Sequence, residues 1–243
     1  MSSHSKRVLV LVYGGMCYAV FAGAVLGMFA LVYDSKAASG GPDWPIAGKI
    51  AVDVALLTAF GLQHSLMARP WFKRALTRIV PEPAERSTYV LMASLVLYLV
   101  VRNWQPMPGV VWSVGDPAVR ALLWGVCILG WVIVFCSTFL IDHFNLFGLT
   151  QSWAFFVGRQ QPPKPFRAGG MYRLVRHPLY LGFILAFWSA PTMTGGRLLA
   201  VGMATAYIFV GIQLEERELI RVKGDSYREY QRRVSMILPW PKL

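Results

Sequence analysis

Apolar residues gather into six runs along the chain: Val8 to Val32, Ile46 to Leu66, Thr88 to Val101, Val119 to Ile141, Leu179 to Ala190 and Leu198 to Leu214. A helix rises about 1.5 Å per residue and a hydrocarbon layer is about 30 Å thick, so the first, second and fourth runs are long enough to cross it. The third and fifth are short. The pattern predicts an all-α integral membrane protein, a bundle of five to six transmembrane helices. Because the fifth run stops at Pro191 and Gly195-Gly196 follows as a tight reversal, the last two runs read as a short C-terminal helical hairpin, shallow in the layer. Pro178 suits the first turn of its helix, where a missing N–H costs nothing. The sixth helix is expected to continue through Glu215, Glu218 and Arg221 to a stop at Gly224. Ser226-Tyr227-Arg228-Glu229 then has the form of a capping box that opens a short surface helix.

The connections divide into two kinds. Ser35 to Pro45 and Arg102 to Pro117 are brief and turn-like, whereas the segments on the other side are longer, amphipathic and richer in chemistry. Neither a repeat nor a low-complexity linker breaks the chain, so it reads as one bundle with two functional halves, 1–118 and 119–243.

Composition excludes an ordinary soluble domain, since 56% of residues are hydrophobic and 15% charged. A net charge of +12 would ordinarily suggest nucleic acid, but here the basic residues alternate with the apolar runs instead of forming one stripe. With a cytoplasmic amino terminus, 19 of the 24 Lys and Arg residues fall in inside segments, which predicts that both termini are cytoplasmic. The same charge implies contact with membrane lipid and no nucleic-acid partner. The first apolar run, about 25 residues, exceeds the core of a signal peptide and is expected to stay as the first helix. Cys17, Cys127 and Cys136 lie in apolar runs, without disulfide or metal spacing, so no metal is expected. Lys49 and Asp53, four apart, are expected to form an ion pair. The oligomeric state is not legible.

The chemistry concentrates where a basic loop meets the fifth helix. Arg176-His177-Pro178, with Tyr172, Tyr180 and Gly182, offers a guanidinium, an imidazole, two phenols and close backbone approach. At the far end of the hairpin stand Glu215 and Glu216. Adjacent helical residues point about 100° apart, so one carboxylate is expected to reach a ligand while the other, or Glu218, pairs with Arg217 or Arg221. Singly, these residues read as positive-inside anchors and interfacial aromatics. Jointly they form a charged set too costly at a membrane boundary to be decoration.

This arrangement resembles the carboxy-terminal signature of the isoprenylcysteine carboxyl methyltransferase superfamily of integral membrane methyltransferases. The matching residues are Gly170, Tyr172, Arg176, His177, Pro178, Tyr180 and Gly182, then Glu215-Glu216, then Tyr227, Tyr230 and Pro239. The resemblance implies that residues 119–243 hold S-adenosylmethionine in a pocket at the cytosolic face. It places Tyr172, Arg176, His177, Pro178, Tyr180, Glu215 and Glu216 around the cofactor, with Gln151 a candidate that reads equally well as a loop residue. A zwitterion, a ribose diol and an adenine want charged partners, a carboxylate and apolar walls respectively.

A second set lies at the same level: Gln63 to Arg69, Glu85-Arg86-Ser87, and Asp142 to Gln151. These segments resemble a bacterial branch of that superfamily that methylates methanethiol to dimethyl sulfide. The resemblance implies a small thiol substrate, a role for residues 1–118 on the substrate side, and a place in the bacterial inner membrane. A thiolate is the nucleophile, so a proton must be removed, and His64, Asp142 and His143 are the candidates. His64 also reads as a satisfied interfacial histidine, and Asp142-His143 as a helix terminus. Direct in-line transfer without a metal or a covalent enzyme intermediate is the expected mechanism. The alternatives are a prenylcysteine carboxyl or phospholipid acceptor and, from another class, a membrane accessory protein or small-solute carrier. Carriers usually carry paired broken helices in two similar halves, and this chain has one interrupted hairpin.

Overall fold

The computed structural model describes residues 3–33, 44–159 and 169–240. Most of the Ser35 to Pro45 connection, together with Lys36, Lys164, Arg167 and Lys242, lies outside the described residues. The elements in order are α1 (Ser3–Tyr33), α2 (Ile46–Met67), α3 (Pro70–Leu76), α4 (Glu82–Asn103), β1 (Val110–Ser113), α5 (Pro117–Ile141), α6 (His143–Leu146), α7 (Leu149–Val157), α8 (Pro178–Trp188), β2 (Thr192–Thr194), α9 (Gly195–Lys223) and α10 (Asp225–Arg233). A 3-10 turn at Gly170–Arg173 precedes α8. Helices α1, α2, α4, α5 and α9 are long and apolar enough to cross a membrane, and α8 is apolar but shorter. Their outer faces carry exposed Leu9, Val12, Leu122, Ile128 and Phe135, the surface of a multi-pass membrane protein.

Two compact units make up the chain, Met1–Met107 with Asp142–Lys164, and Pro108–Ile141 with Pro165–Leu243. Residues 142–164 therefore group with the first unit.

In the first unit, α1, α4 and α7 meet through small residues. A Cβ on Gly14 would stand 2.5 Å from the Ser152 Oγ and 3.4 Å from the Ser87 Oγ. Gly148 has φ +88, and a Cβ there would come within 2.7 Å of the Ser87 backbone nitrogen. Ser152 and Ser87 both donate to the Gly148 carbonyl, at 3.1 and 3.4 Å, so close approach also satisfies buried hydroxyls. Helix α4 is longer than its apolar run, 22 residues, because Pro83 and the acidic Glu82 and Glu85 make a favourable first turn that hydropathy alone does not register. The expected Lys49–Asp53 ion pair is not formed. Asp53 is fully buried and accepts the Gln105 backbone N–H at 2.8 Å, a partner that spares an ammonium from desolvation.

In the second unit, α5 and α8 touch backbone to backbone. A Cβ on Gly130 would lie 2.5 Å from the Ala186 nitrogen, and one on Gly182 would lie 2.7 Å from the Gly130 oxygen. The two arms of the C-terminal hairpin are unequal in length. Helix α8 has 11 residues, about 16 Å, but the chain continues through buried Ser189, Ala190 and Met193 to β2, which pairs antiparallel with β1 just ahead of α5. Helix α9 then runs 29 residues, about 43 Å, long and apolar enough to cross a membrane. Both strands fall in stretches that read as turns, because pairing across 80 residues of sequence leaves no local signal.

Helix α9 opens at Thr194, whose side chain accepts the Arg197 N–H, and stops at Gly224 with φ +60, as expected. The capping box does not form. Helix α10 opens at Asp225, the Ser226 hydroxyl donates back to the Lys223 carbonyl at 2.9 Å, and Glu229 is taken by Arg233 one turn on.

Candidate functional site

Backbone pairing builds the site of the second unit before any side chain acts. Val175 and Ser235 form a parallel bridge; the Arg176 N–H donates to the Ser235 carbonyl at 2.8 Å, and the His177 N–H to the Met236 carbonyl at 3.1 Å. The segment after α10 is thus laid as a strand beside the residues before α8. Pro178 opens α8 and His177 is its N-terminal flank, so the guanidinium and imidazole leave the backbone at one fixed point.

Both side chains go to one carboxylate oxygen. The Arg176 Nε donates to the Glu216 Oε1 at 2.7 Å, and the His177 Nε2 lies 3.0 Å from the same atom. Tyr227 donates to it as well, at 3.4 Å, and the Gln231 amide donates to the Glu216 Oε2 at 2.8 Å. The Arg176 Nη1 meets the carbonyls of Val234 and Gln231 at 2.6 and 3.2 Å. Arg176, His177 and Glu216 are all more than nine-tenths buried. This network ties α8, α9 and α10 together, and its charges are spent on each other.

Glu215 is different. Its side chain is 48% exposed; the Tyr180 hydroxyl donates to it at 3.3 Å and the His177 Nδ1 stands 3.8 Å away. The His177 and Tyr180 rings stack at 5.6 Å. Glu216 pairs with Arg176 and His177 rather than with Arg217 or Arg221, while Glu218 pairs with Arg221 at 2.7 Å as expected.

Tyr172 accepts the Tyr230 hydroxyl on its carbonyl at 2.6 Å. Burial, with Glu215 and Tyr230 nearby, pushes its own phenol up to about 12. Burial likewise raises Tyr230 to about 12 and raises Tyr227, the latter helped by Glu216. All three remain donors throughout the neutral range. Tyr227 and Tyr230 belong to the signature; Gln231 does not, and only its place one helical turn past Tyr227 could have suggested it.

The remaining candidates lie in the first unit. His64, near the end of α2, stacks on Phe60 at 5.5 Å, and the Tyr89 hydroxyl stands 2.9 Å from its Nε2 and 3.1 Å from its Nδ1. The Arg86 guanidinium covers the Tyr89 ring at 4.9 Å while its Nε donates to the Leu146 carbonyl at 2.7 Å. His143 is buried, with its Nε2 2.8 Å from the Tyr18 hydroxyl, and burial lowers its pKa below the ordinary imidazole value. Asp142, just before it, has φ 123, a left-handed conformation rarely held by an aspartate. Gln151 donates to the Asn145 Oδ1 at 2.6 Å, and its own Oε1 is buried without a hydrogen-bond partner. Tyr18 and Tyr89 were not singled out as functional, because each lies in an apolar run where a phenol reads as a membrane aromatic. Among the described residues no group of three or more His, Cys, Asp or Glu side chains could hold a metal.

Comparison with known proteins adds a family. One described as "Protein of unknown function (DUF1295)" matches residues 87–234. Methanethiol S-methyltransferase 1 of Bradyrhizobium diazoefficiens is 46% identical over 237 residues, 96% of this chain and 83% of the relative. Methanethiol S-methyltransferase of Mycobacterium tuberculosis is 46% identical over 239 residues, 97% of this chain and 98% of the relative. Nurim of Pan troglodytes is 30% identical over 210 residues, 79% of this chain and 80% of the relative. No solved structure matches.

Proposed function

This chain belongs to the methanethiol S-methyltransferase family, and on that premise we propose that it transfers a methyl group from S-adenosylmethionine to methanethiol, releasing dimethyl sulfide. The observation that carries the cofactor assignment is the contrast between the two adjacent glutamates. Glu216 is saturated by four protein donors, whereas Glu215 is half exposed beside a stacked imidazole and phenol.

The donor set fits the cofactor. A carboxylate with open valence suits an ammonium or a ribose diol, and the His177–Tyr180 stack suits a flat base. Bound there, S-adenosylmethionine supplies a methyl group made electrophilic by a sulfonium sulfur. Glu215 and Tyr180 are the residues assigned to touch it, with Tyr172 beside them. Arg176, His177 and Glu216 hold α8, α9 and the C-terminal strand in register, and Pro178 starts the helix that carries Tyr180. The buried Oε1 of Gln151 offers an acceptor to a ligand donor.

His143 is assigned the thiol proton ahead of His64 and Asp142. It is neutral at neutral pH because burial lowers its pKa, and a neutral imidazole is the form that accepts a proton. The protein is assigned to the bacterial inner membrane with both termini cytoplasmic, on the distribution of Lys and Arg. A small neutral thioether can leave through lipid while a charged cofactor comes from water.

The test is binding of S-adenosylhomocysteine to detergent-purified protein, followed by transfer of a labelled methyl group with methanethiol, a prenylcysteine analogue or phosphatidylethanolamine supplied separately. Saturable binding and label in dimethyl sulfide are expected. Label only in a lipid or prenyl product removes the thiol assignment, and absence of binding favours a membrane accessory protein.

A further inference from the structure

The first unit contains two imidazole–phenol pairs, His64 with Tyr89 and His143 with Tyr18, and Phe147 packs against the second pair and against the buried cluster to which Tyr89 belongs. Phe147 lies 4.9 Å from the His143 ring, 5.8 Å from the Tyr18 ring and 4.2 Å from the Phe21 ring, centroid to centroid. It also packs, with Phe21, against the buried cluster of Met67, Tyr89 and Val90. The surrounding walls are aromatic rings and a thioether, surfaces that favour a small polarisable sulfur compound. One polar atom in this wall is left over. The Gln63 amide donates to the Met67 Sδ at 2.8 Å, but its Oε1 is buried without a hydrogen-bond partner, an acceptor beside His64 for a donor that the protein does not provide.

We propose that Tyr18 and Tyr89 are positioning residues for the two imidazoles, and that Phe147 sets the length of alkyl thiol that the first unit accepts. The inference rests on the methyltransferase reading above. An S–H group is a weak donor, which suits the Gln63 oxygen. The Tyr18 hydroxyl, 2.8 Å from the His143 Nε2, holds the imidazole by a hydrogen bond in which either partner donates according to the tautomer. The thiol proton passes to the imidazole, the S–H bonding pair stays on sulfur as a thiolate, and the imidazolium returns the proton to water after turnover. The Arg86 guanidinium over the Tyr89 ring places a fixed positive charge in the same unit, which favours the anion. A chain longer than one or two carbons must displace Phe147, and a pocket discriminates by about tenfold or more per methylene.

Two readouts test this on the full-length protein in detergent. Without cofactor, thermal stabilisation by methanethiol, ethanethiol, propanethiol and butanethiol is compared among wild type, Phe147→Ala and the milder Phe147→Leu. With cofactor, kcat/KM is measured for the same series. Both variants are expected to move the preferred acceptor to longer chains, raising propanethiol relative to methanethiol by about tenfold. Tyr18→Phe is expected to lower kcat with little change in KM and to displace the acid limb of the pH profile. S-adenosylhomocysteine binding reports that each variant is folded. An unchanged chain-length order in both Phe147 variants, or an unmoved pH profile in Tyr18→Phe, overturns the inference while leaving the methyltransferase reading intact. That reading fails separately if wild-type protein methylates no thiol.

Discussion

Arg176 and Glu216 stand 40 residues apart in the chain and meet at 2.7 Å, both more than nine-tenths buried, with His177 on the same carboxylate oxygen. A carboxylate so enclosed is stabilising only while its partners remain. Breaking a buried pair from one side costs about 3–5 kcal/mol because the remaining charge is left unpaired. Glu216→Ala is therefore expected to lower the thermal midpoint markedly in detergent. The double variant Arg176→Met with Glu216→Leu is expected to recover part of that loss. Equal midpoints for Glu216→Ala and wild type would show that the pair does not hold the fold.

Glu215 has the opposite character, half exposed and bonded by one phenol. Glu215→Gln is expected to leave the midpoint unchanged and weaken S-adenosylhomocysteine binding about tenfold or more, since a hydrogen bond to a charged group is worth about 1.5–3 kcal/mol. Isothermal calorimetry on the two glutamate variants separates the roles, and reversal of their effects would exchange the assignments.

His143 predicts a pH dependence. Its folded pKa is depressed by burial, so the unfolded chain binds the extra proton first as the solution is acidified. The contribution to stability is complete above the ordinary imidazole value of 6.5 and is lost as the pH falls from there through the folded value. Denaturation at pH 7 and pH 5 is expected to show a smaller drop for His143→Phe than for wild type.

The phenols work in the other direction. Tyr172 and Tyr230 are raised from 10.0 to about 12, so their contribution is complete below pH 10 and is lost as the pH rises towards 12. Absorbance at the phenolate band is expected to show late, cooperative ionisation of these groups, coincident with unfolding of the second unit. Substituting Tyr230→Phe removes one of them and its bond to the Tyr172 carbonyl.

Gly130 and Gly182 admit no side chain, because a Cβ on either would lie within 2.8 Å of facing backbone. Gly130→Ala is expected to cost about 1–3 kcal/mol by overpacking, and Gly125→Ala, where nothing lies within 4 Å, to cost little. Thermal midpoints of the two variants check the contrast.

Much was legible along the chain. Long apolar runs announce spanning helices because lipid leaves backbone polar groups no other partner, and the alternation of basic segments predicts their orientation. Pro178 at the start of α8 and Gly224 at the end of α9 act within a single turn and read correctly. Glu85-Arg86-Ser87 reads as the opening of α4, and the helix starts three residues earlier, at Glu82, because Pro83 and Glu82 favour a helix start that hydropathy does not count.

What the sequence by itself determined is the membrane class, the helix-forming runs and the residue types gathered at Arg176–Tyr180 and Glu215-Glu216, since each depends on interactions only a few residues long. The tertiary structure alone decided which glutamate is spent and which is open, that the β1 and β2 segments pair, that Asp53 turns to a backbone N–H instead of Lys49, and that Phe147 packs on the His143–Tyr18 pair. Those outcomes depend on partners 40 to 125 residues away, whose approach is set by the packing of whole helices and leaves no periodic trace along the chain.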